Sequence, residues 1–454
     1  MRVYLDRNFL LTYAASFVSL FGSKLLMISY VAFVYGETGS ATLASAVFAA
    51  DWVANLFVGL FTTHYIDRAD ARRLLLRLNL AAAAVTLLFL ACLSPDQFPV
   101  AVAVIFVRAL LNSAVNAARV KALVQFFDKR QTDLYSAVLN SSLFIAIAVA
   151  GAAGTVILRF VGMSTVVLID VATFLVSAAL FALVRPNRAR IEEARRAAGD
   201  VREGVAAHVR SAARIIVRTP VVSTAVFYIV LTVTAFQATY LVLITAVPDL
   251  WFSLGEPGTA MFFTAESLAV IAGLFLYQYL SRRELVPETR QRRLNAAVAG
   301  FAVCMYAALP AARSSLVLAL AAFVAMVLAV EMVWAHQYKR LIAHTPEAKV
   351  SAVVGLLSAL GYSLMAVFGF AFSWVMDTLG AQWAVTLDLV LIALLVTGWE
   401  ARAHRLGSRH AKSIRPARTR QPRGTGGQGG EGPRPDGRGR GAEPAAAAGP
   451  VRRS

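Results

Sequence analysis

Again and again between residues 9 and 400 this chain runs for about 20 residues with hardly a charge, the length an α-helix needs to cross the hydrocarbon core of a bilayer. No water-soluble fold has room to hide so many runs. Only 15% of the residues are charged and 58% are hydrophobic, where a soluble domain carries about 25% charged residues. The runs are continuous rather than alternating, which excludes a transmembrane barrel. The fold class that follows is an all-α polytopic membrane protein. Twelve transmembrane helices are expected at 9–34, 41–63, 74–93, 98–117, 134–158, 164–184, 221–246, 258–280, 294–311, 315–335, 350–375 and 381–400. The first run has no small-residue cleavage site, so it reads as a retained helix.

The net charge of +18 would suit a nucleic-acid binder, but its distribution does not. Alternate connections hold 27 Lys and Arg before the C-terminal tail, and the others hold two, Arg159 and Arg313. Cytoplasmic loops collect basic residues. Both termini are therefore expected in the cytoplasm of a bacterial inner membrane, with no nucleic-acid partner. The long connection divides the chain into a first six-helix half (1–184), a linker (185–220) and a second half (221–402). Within the linker, Val201, Val205, Val209, Ala212 and Ile216 recur at helical spacing, which predicts one apolar face. Such a helix suits the inner leaflet or a bridge between bundles. Ser136-Ala137-Val138 and Ser351-Ala352-Val353 open the fifth and eleventh runs 215 residues apart, a sign of duplicated halves. Residues 403–454 are rich in Arg, Gly and Pro and are expected to be disordered.

Ionisable residues inside a membrane are costly and tend to be paired or functional. Seven occur: Lys24, Asp51, Arg108, Asp170, Glu266, Glu331 and Asp388. Lys24, Asp51 and Arg108 lie deepest, and a cluster with Asp51 between the two cations would offset most of the cost. It would serve either a proton-coupled step or a static ion pair. Asp170, Glu266 and Asp388 sit nearer the outer ends and suit a vestibule. Of these, Glu266, between Thr264 and Ser267, is the best candidate for binding substrate or a proton. Glu331, beside Trp334, His336 and Lys339, fits a local salt bridge. Asn112 and Asn116 add a polar stripe, and Gly151 with Gly154 gives the fifth run a smooth face for close helix contact. Phosphate loops, zinc spacings and hydrolytic triads are missing from the sequence. That argues against an enzyme, a cofactor or an ATP-driven pump.

The densest early cluster of charge is Tyr65-Ile66-Asp67-Arg68-Ala69-Asp70-Ala71-Arg72-Arg73-Leu74, after the second run. With Arg108 in the fourth run, Asn116 to Leu123 at its inner end and Tyr35 to Ala44 between the first two, it resembles the major facilitator superfamily. The likeness is nearest to the bacterial drug and siderophore exporter branch that contains the enterobactin exporter, although Lys24 stands where that branch often has an acid. The resemblance implies a monomer of two six-helix halves around a midplane cavity. It would export an amphipathic small molecule by proton antiport, the bilayer, a proton gradient and the substrate being its partners. It also implies that Asp67 latches the inner side, with Arg68, Arg72, Arg73 and Arg119 as partners, and that Arg108 takes part in proton coupling. Uptake or lysolipid movement by the same fold, or a non-transporting membrane sensor or scaffold, remain open on the sequence.

Overall fold

In a computed structural model, residues 6–62, 66, 69–127, 129–185, 205–283, 291–346 and 349–413 are described. They form helices. In the first half these are α1 (Arg7–Thr38), α2 (Ala41–Phe61), α3 (Ala71–Leu88), α4 (Phe98–Phe126), α5 (Lys129–Ile157) and α6 (Met163–Leu183). A linker helix, α7 (Val205–Arg218), follows. The second half holds α8 (Pro220–Phe252), α9 (Gly255–Arg282), α10 (Gln291–Ala308), α11 (Leu316–Ala343), α12 (Val350–Leu379) and α13 (Ala381–Ser413). Eleven helices contain a stretch long and apolar enough to span a bilayer, and α5 has a shorter one at Ser142–Ile157. The twelve expected runs each coincide with a helix. Outward-facing side chains such as Phe61, Phe160, Phe275 and Val317 are exposed all round the bundle, an arrangement suited to hydrocarbon and not to water.

Local chemistry sets the helix ends. Asp6, Ser40, Asp70 and Ser315 accept backbone N–H bonds at the starts of α1, α2, α3 and α11, satisfying donors that a helix leaves unpaired. Gly39 sits at φ 63° and returns its N–H to the Tyr35 carbonyl at 2.7 Å, which ends α1 and turns the chain directly into α2. Residues Thr232–Gln237 within α8 form a π-helical turn, a widening that recurs at functional sites.

Within the first half α1 packs on α5 and α6, and α3 on α4 and α6; within the second, α11 packs on α8, α9 and α10. Between the halves the main seams are α5 on α9 and α2 on α12. One apolar cluster runs across both halves, from Tyr30, Val34, Phe48 and Val166 to Phe236, Ile244, Phe263 and Phe323. The end of the bundle that carries the basic loops is different. There, among the described residues, Phe9, Leu75, Phe126, Tyr135 and Phe181 form a cluster of the first half alone. Val222, Ile229, Leu341 and Val353 form another in the second half. Among the described residues, apolar packing thus runs across both halves at the opposite end and divides into one cluster per half at the basic end.

The linker helix joins the second of these clusters. Ala212 is fully buried, and Ile215 and Ile216 pack with it against Val222, Leu341 and Val353. That part of its apolar stripe is covered by the second half, whereas Val209 and Val217 are exposed and Val201 lies outside the described residues.

Candidate functional site

Arg108 and Asp170 make the deepest ion pair. Arg108 Nε and Nη2 donate to Asp170 Oδ2 at 3.1 and 2.5 Å, and Nε also donates to Thr86 Oγ1 at 3.2 Å. The guanidinium lies 5.7 Å from the centre of the Phe174 ring. Thr173 Oγ1 donates to Asp170 Oδ1 at 3.5 Å, Ser23 lies beside the same carboxylate, and Asn112 Nδ2 donates to Ser23 Oγ at 3.3 Å. The network joins α1, α3, α4 and α6. Room for it comes from Gly22: a Cβ there would fall 2.0 Å from Thr173 Oγ1 and 2.8 Å from Asp170 Oδ1.

This corrects the expected cluster around Asp51. Arg108 faces α3 and α6, so its partner is Asp170, which is fully buried and does not line a vestibule. Asp51 instead accepts from Asn55 Nδ2 at 3.5 Å and lies near Tyr362 on α12, at the seam between α2 and α12. Among the described residues no ion pair joins Asp51 to Lys24 or Arg108.

Lys24 looks across to the other half. It lies within electrostatic reach of Glu266 on α9, and its Nζ is 3.8 Å from Met27 Sδ. Tyr240 Oη, on α8 just beyond the π turn, donates to Glu266 Oε1 at 3.2 Å. Glu331 on α11 is close enough to interact electrostatically with both Glu266 and Tyr240. Gly273 brings α9 against α11 here, since a Cβ would meet the Leu328 carbonyl at 2.8 Å. Glu331 therefore belongs to a shared site and not to the local salt bridge expected with Lys339, which donates to Ser281 Oγ at 2.9 Å. At this junction Lys24 and Glu331 each lie within electrostatic reach of Glu266, so that both halves contribute charge to it. Tyr240 escaped the sequence reading, and Glu331 was assigned to the wrong neighbours, because the face each helix turns inward depends on packing.

The charged loop after α2 lies partly outside the described residues, Asp67 and Arg68 among those left out. Its described part is held from within the first half. Lys121 Nζ donates to the Ile66 carbonyl at 2.6 Å, Gln125 Nε2 to the Ala69 carbonyl at 3.3 Å, and Gln125 Oε1 accepts from Ala71 N at 2.9 Å. Arg72 donates to the carbonyls of Phe181 and Ala182 at the end of α6, where the helix dipole favours a cation. Arg73 lies 3.8 Å from Asp70, an exposed pair of small energetic value. Arg119 is buried, and its Nε has no hydrogen-bond partner among the described residues.

At the opposite end a second contact joins the halves, one the sequence did not suggest. Asp377, near the end of α12, accepts from Ala41 N, Thr42 N and Ser40 Oγ at 2.8, 2.9 and 2.8 Å, capping the start of α2 across the seam. The carboxylate is exposed, so water competes for it. Removing the contact in Asp377→Ala should favour parting of this end by about 1 kcal/mol, a roughly fivefold change in population. Spin labels on Thr38 and Leu379, both exposed, should report a larger share of long distances. An unchanged distance distribution would show that the contact does not hold the end closed.

A family model described as Major Facilitator Superfamily matches residues 12–370. No curated protein matches the sequence. Among solved structures, a bacterial homologue of the human lysosomal transporter Spinster, in an inward-facing and occupied conformation, superposes with TM-score 0.65 at 12% identity. The match covers 90% of this chain and 97% of that one. The nucleoside transporter NupG gives TM-score 0.64 at 9% identity, covering 87% and 98%. A peptide-transporter (POT) family member in complex with 5-aminolevulinic acid gives 0.61 at 11%, covering 87% and 96%. At these identities the likeness is one of fold.

Proposed function

Since the chain belongs to the major facilitator superfamily, we propose that it is a secondary transporter that exports an amphipathic small molecule by proton antiport and alternating access. The observation that carries this reading is the junction around Glu266, bonded to Tyr240 and within electrostatic reach of Lys24 in the other half and of Glu331. Both halves contribute to it, so any rocking of one half against the other alters it. The positive-inside rule supports a cytoplasmic position for the basic end. On that orientation the end where each half keeps its own apolar cluster faces the cytoplasm, which suits loading of a cargo for export.

The charges suggest how loading and coupling are linked. With both glutamates ionised, the junction has an excess of negative charge, which favours a cargo with a cationic or zwitterionic head and an apolar body. With protons on the glutamates, that attraction is lost. A cycle in which protons from outside displace the cargo would then run outward on the proton gradient. Coupling at Asp51 is a less direct role, since Asp51 lies on the α2–α12 seam and not at this junction. The drug and siderophore exporter branch, the bacterial inner membrane, cytoplasmic termini, a monomeric state and the gating role of Asp67, Arg68, Arg72, Arg73 and Arg119 form part of the same proposal.

Proteoliposomes loaded with ethidium, a cationic amphipathic dye, test it. Wild-type protein should move the dye against its gradient when a proton gradient is imposed. Glu266→Gln should reduce that movement to the level of empty vesicles while the protein unfolds at the wild-type temperature. Undiminished movement in Glu266→Gln would remove the junction from the mechanism. Absence of any gradient-dependent movement by wild type, for ethidium and for zwitterionic amphiphiles alike, would overturn the transporter reading.

A further inference from the structure

The buried acid in the second half, Asp388, has no place in the junction just described. It is 6% exposed on α13, and Tyr306 Oη of α10 donates to its Oδ2 at 2.9 Å. Thr239 of α8 lies near both groups, its hydroxyl donating to the Ala235 and Phe236 carbonyls of its own helix at 2.8 and 3.0 Å. Phe236, 5.9 Å from the Tyr306 ring centre, closes the apolar side. Among the described residues no cation lies within ion-pair distance of Asp388.

Its counterpart in the first half has the opposite surroundings. Asp170 lies on the sixth crossing helix of its half and Asp388 on the sixth of the other, 218 positions later. That offset is close to the 215 residues between the two Ser-Ala-Val repeats. Each acid lies beside side chains from the first and third crossing helices of its half: Ser23 and, through Arg108, Thr86 for Asp170; Thr239 and the donor Tyr306 for Asp388. What differs is the fourth helix. Arg108 neutralises Asp170, whereas positions 323–326, at the matching offset on α11, are Phe-Val-Ala-Met. One acid has a fixed counter-charge and the other a phenol donor, among the described residues. A carboxyl so placed can lose its charge in one way, by binding a proton, and its hydroxyl neighbours can serve either form, as donors to the carboxylate or acceptors from the acid.

We propose that Asp388 is a proton-binding site of the second half, linked to the Glu266 junction through α8; this rests on the proton-coupled reading above. The link is short. Phe236, within the π turn, packs on the Tyr306 ring, and Tyr240, one helical turn further on, is bonded to Glu266. Uptake of one proton at Asp388 removes its negative charge and changes the Asp388 oxygen that holds Tyr306 from an ionised to a neutral acceptor. The loosened contact frees α8 to tighten or shift its wide turn, which moves Tyr240 relative to Glu266. Other charged or titratable groups around α8 are Glu266 on α9, Glu331 on α11, Lys24 on α1, and Asp51 with Tyr362 on the α2–α12 seam. None of them is an ion-pair partner of Asp388.

Infrared difference spectroscopy of the full-length protein in lipid vesicles, recorded as pH is stepped, tests the site without any cargo. Asp388→Asn should abolish one titrating carboxyl band, and Tyr306→Phe should retain that band with a displaced midpoint. If Asp388→Asn leaves all titrating bands in place, the proposal is overturned. Should Asp388→Asn fail to fold, as read by thermal unfolding, an unchanged midpoint in Tyr306→Phe overturns it instead. In ethidium-loaded vesicles, Asp388→Asn should keep dye exchange at equilibrium and lose accumulation driven by the proton gradient; retained accumulation would also overturn it. Wild-type protein that moves no dye refutes the transport reading alone, because the infrared result stands independently.

Discussion

Arg108→Met alone should destabilise the protein by about 3–5 kcal/mol, because it leaves the Asp170 carboxylate buried with no counter-charge. Thermal unfolding in detergent, followed by tryptophan fluorescence, should show a markedly lower midpoint. Joining the two changes, Arg108→Met with Asp170→Leu, should recover most of that loss, since apolar replacement of a buried pair is often close to neutral. The expected size follows from the geometry. Two guanidinium nitrogens reach one oxygen of a fully buried carboxylate, and Thr86, Thr173 and Ser23 surround the pair. An exposed pair such as Arg73 with Asp70 would contribute a small fraction as much. A single variant that unfolds at the wild-type temperature would contradict this account. The double variant also separates two roles that the sequence left open: if it folds but no longer transports, the pair serves coupling as well as packing.

The other large effect is expected from one added side chain at the seam. A Cβ at Gly151 on α5 would lie 2.6 Å from Thr264 Oγ1 and 2.9 Å from both the Ala260 carbonyl and the Thr264 nitrogen on α9. Two of those three atoms are backbone and cannot step aside. Gly151→Leu should therefore prevent closure at the end away from the basic loops, shift the protein to the state open there, and abolish cyclic transport. Overpacking of this kind costs about 1–3 kcal/mol or more, enough to invert a modest conformational preference. Gly300→Ala on α10, where an added Cβ meets nothing within 4 Å, is the matched control and should leave transport unchanged. Cysteine labelling at buried Ala44 should rise in Gly151→Leu and stay low in the control. Equal labelling in the two would show that this seam does not gate.

The comparison of sequence with structure divides along a physical line. Apolar length and loop charge act over whole segments, so the twelve crossings and the division around α7 were legible from residue order. Gly151 and Gly154 were legible as a contact face because small residues are favoured where helix backbones meet. Pairing of side chains was not. Depth alone puts Asp51 and Arg108 at comparable heights, but α2 turns Asp51 toward α12 while α4 turns Arg108 toward α3 and α6. Rotation about a helix axis is fixed by neighbours far away in sequence, and a helix apolar on nearly all sides gives no stripe from which to read it. Glu331 was misjudged for the same reason, having been assigned to its own loop instead of to the face shared with Glu266 and Tyr240.

The α5–α9 seam has one more property, which concerns speed. Ala150, Gly151, Gly154 and Ala260 are buried at or beside the contact, and none has a rotatable side chain. Bringing such surfaces together freezes no rotamers, whereas each long side chain ordered at a contact loses up to about 2 kcal/mol of conformational entropy. The two halves can consequently part and rejoin there without a search for the correct interdigitation. At these four positions little side-chain order has to be recovered when the seam closes, which leaves Thr264 and the larger apolar side chains around it to set the fit.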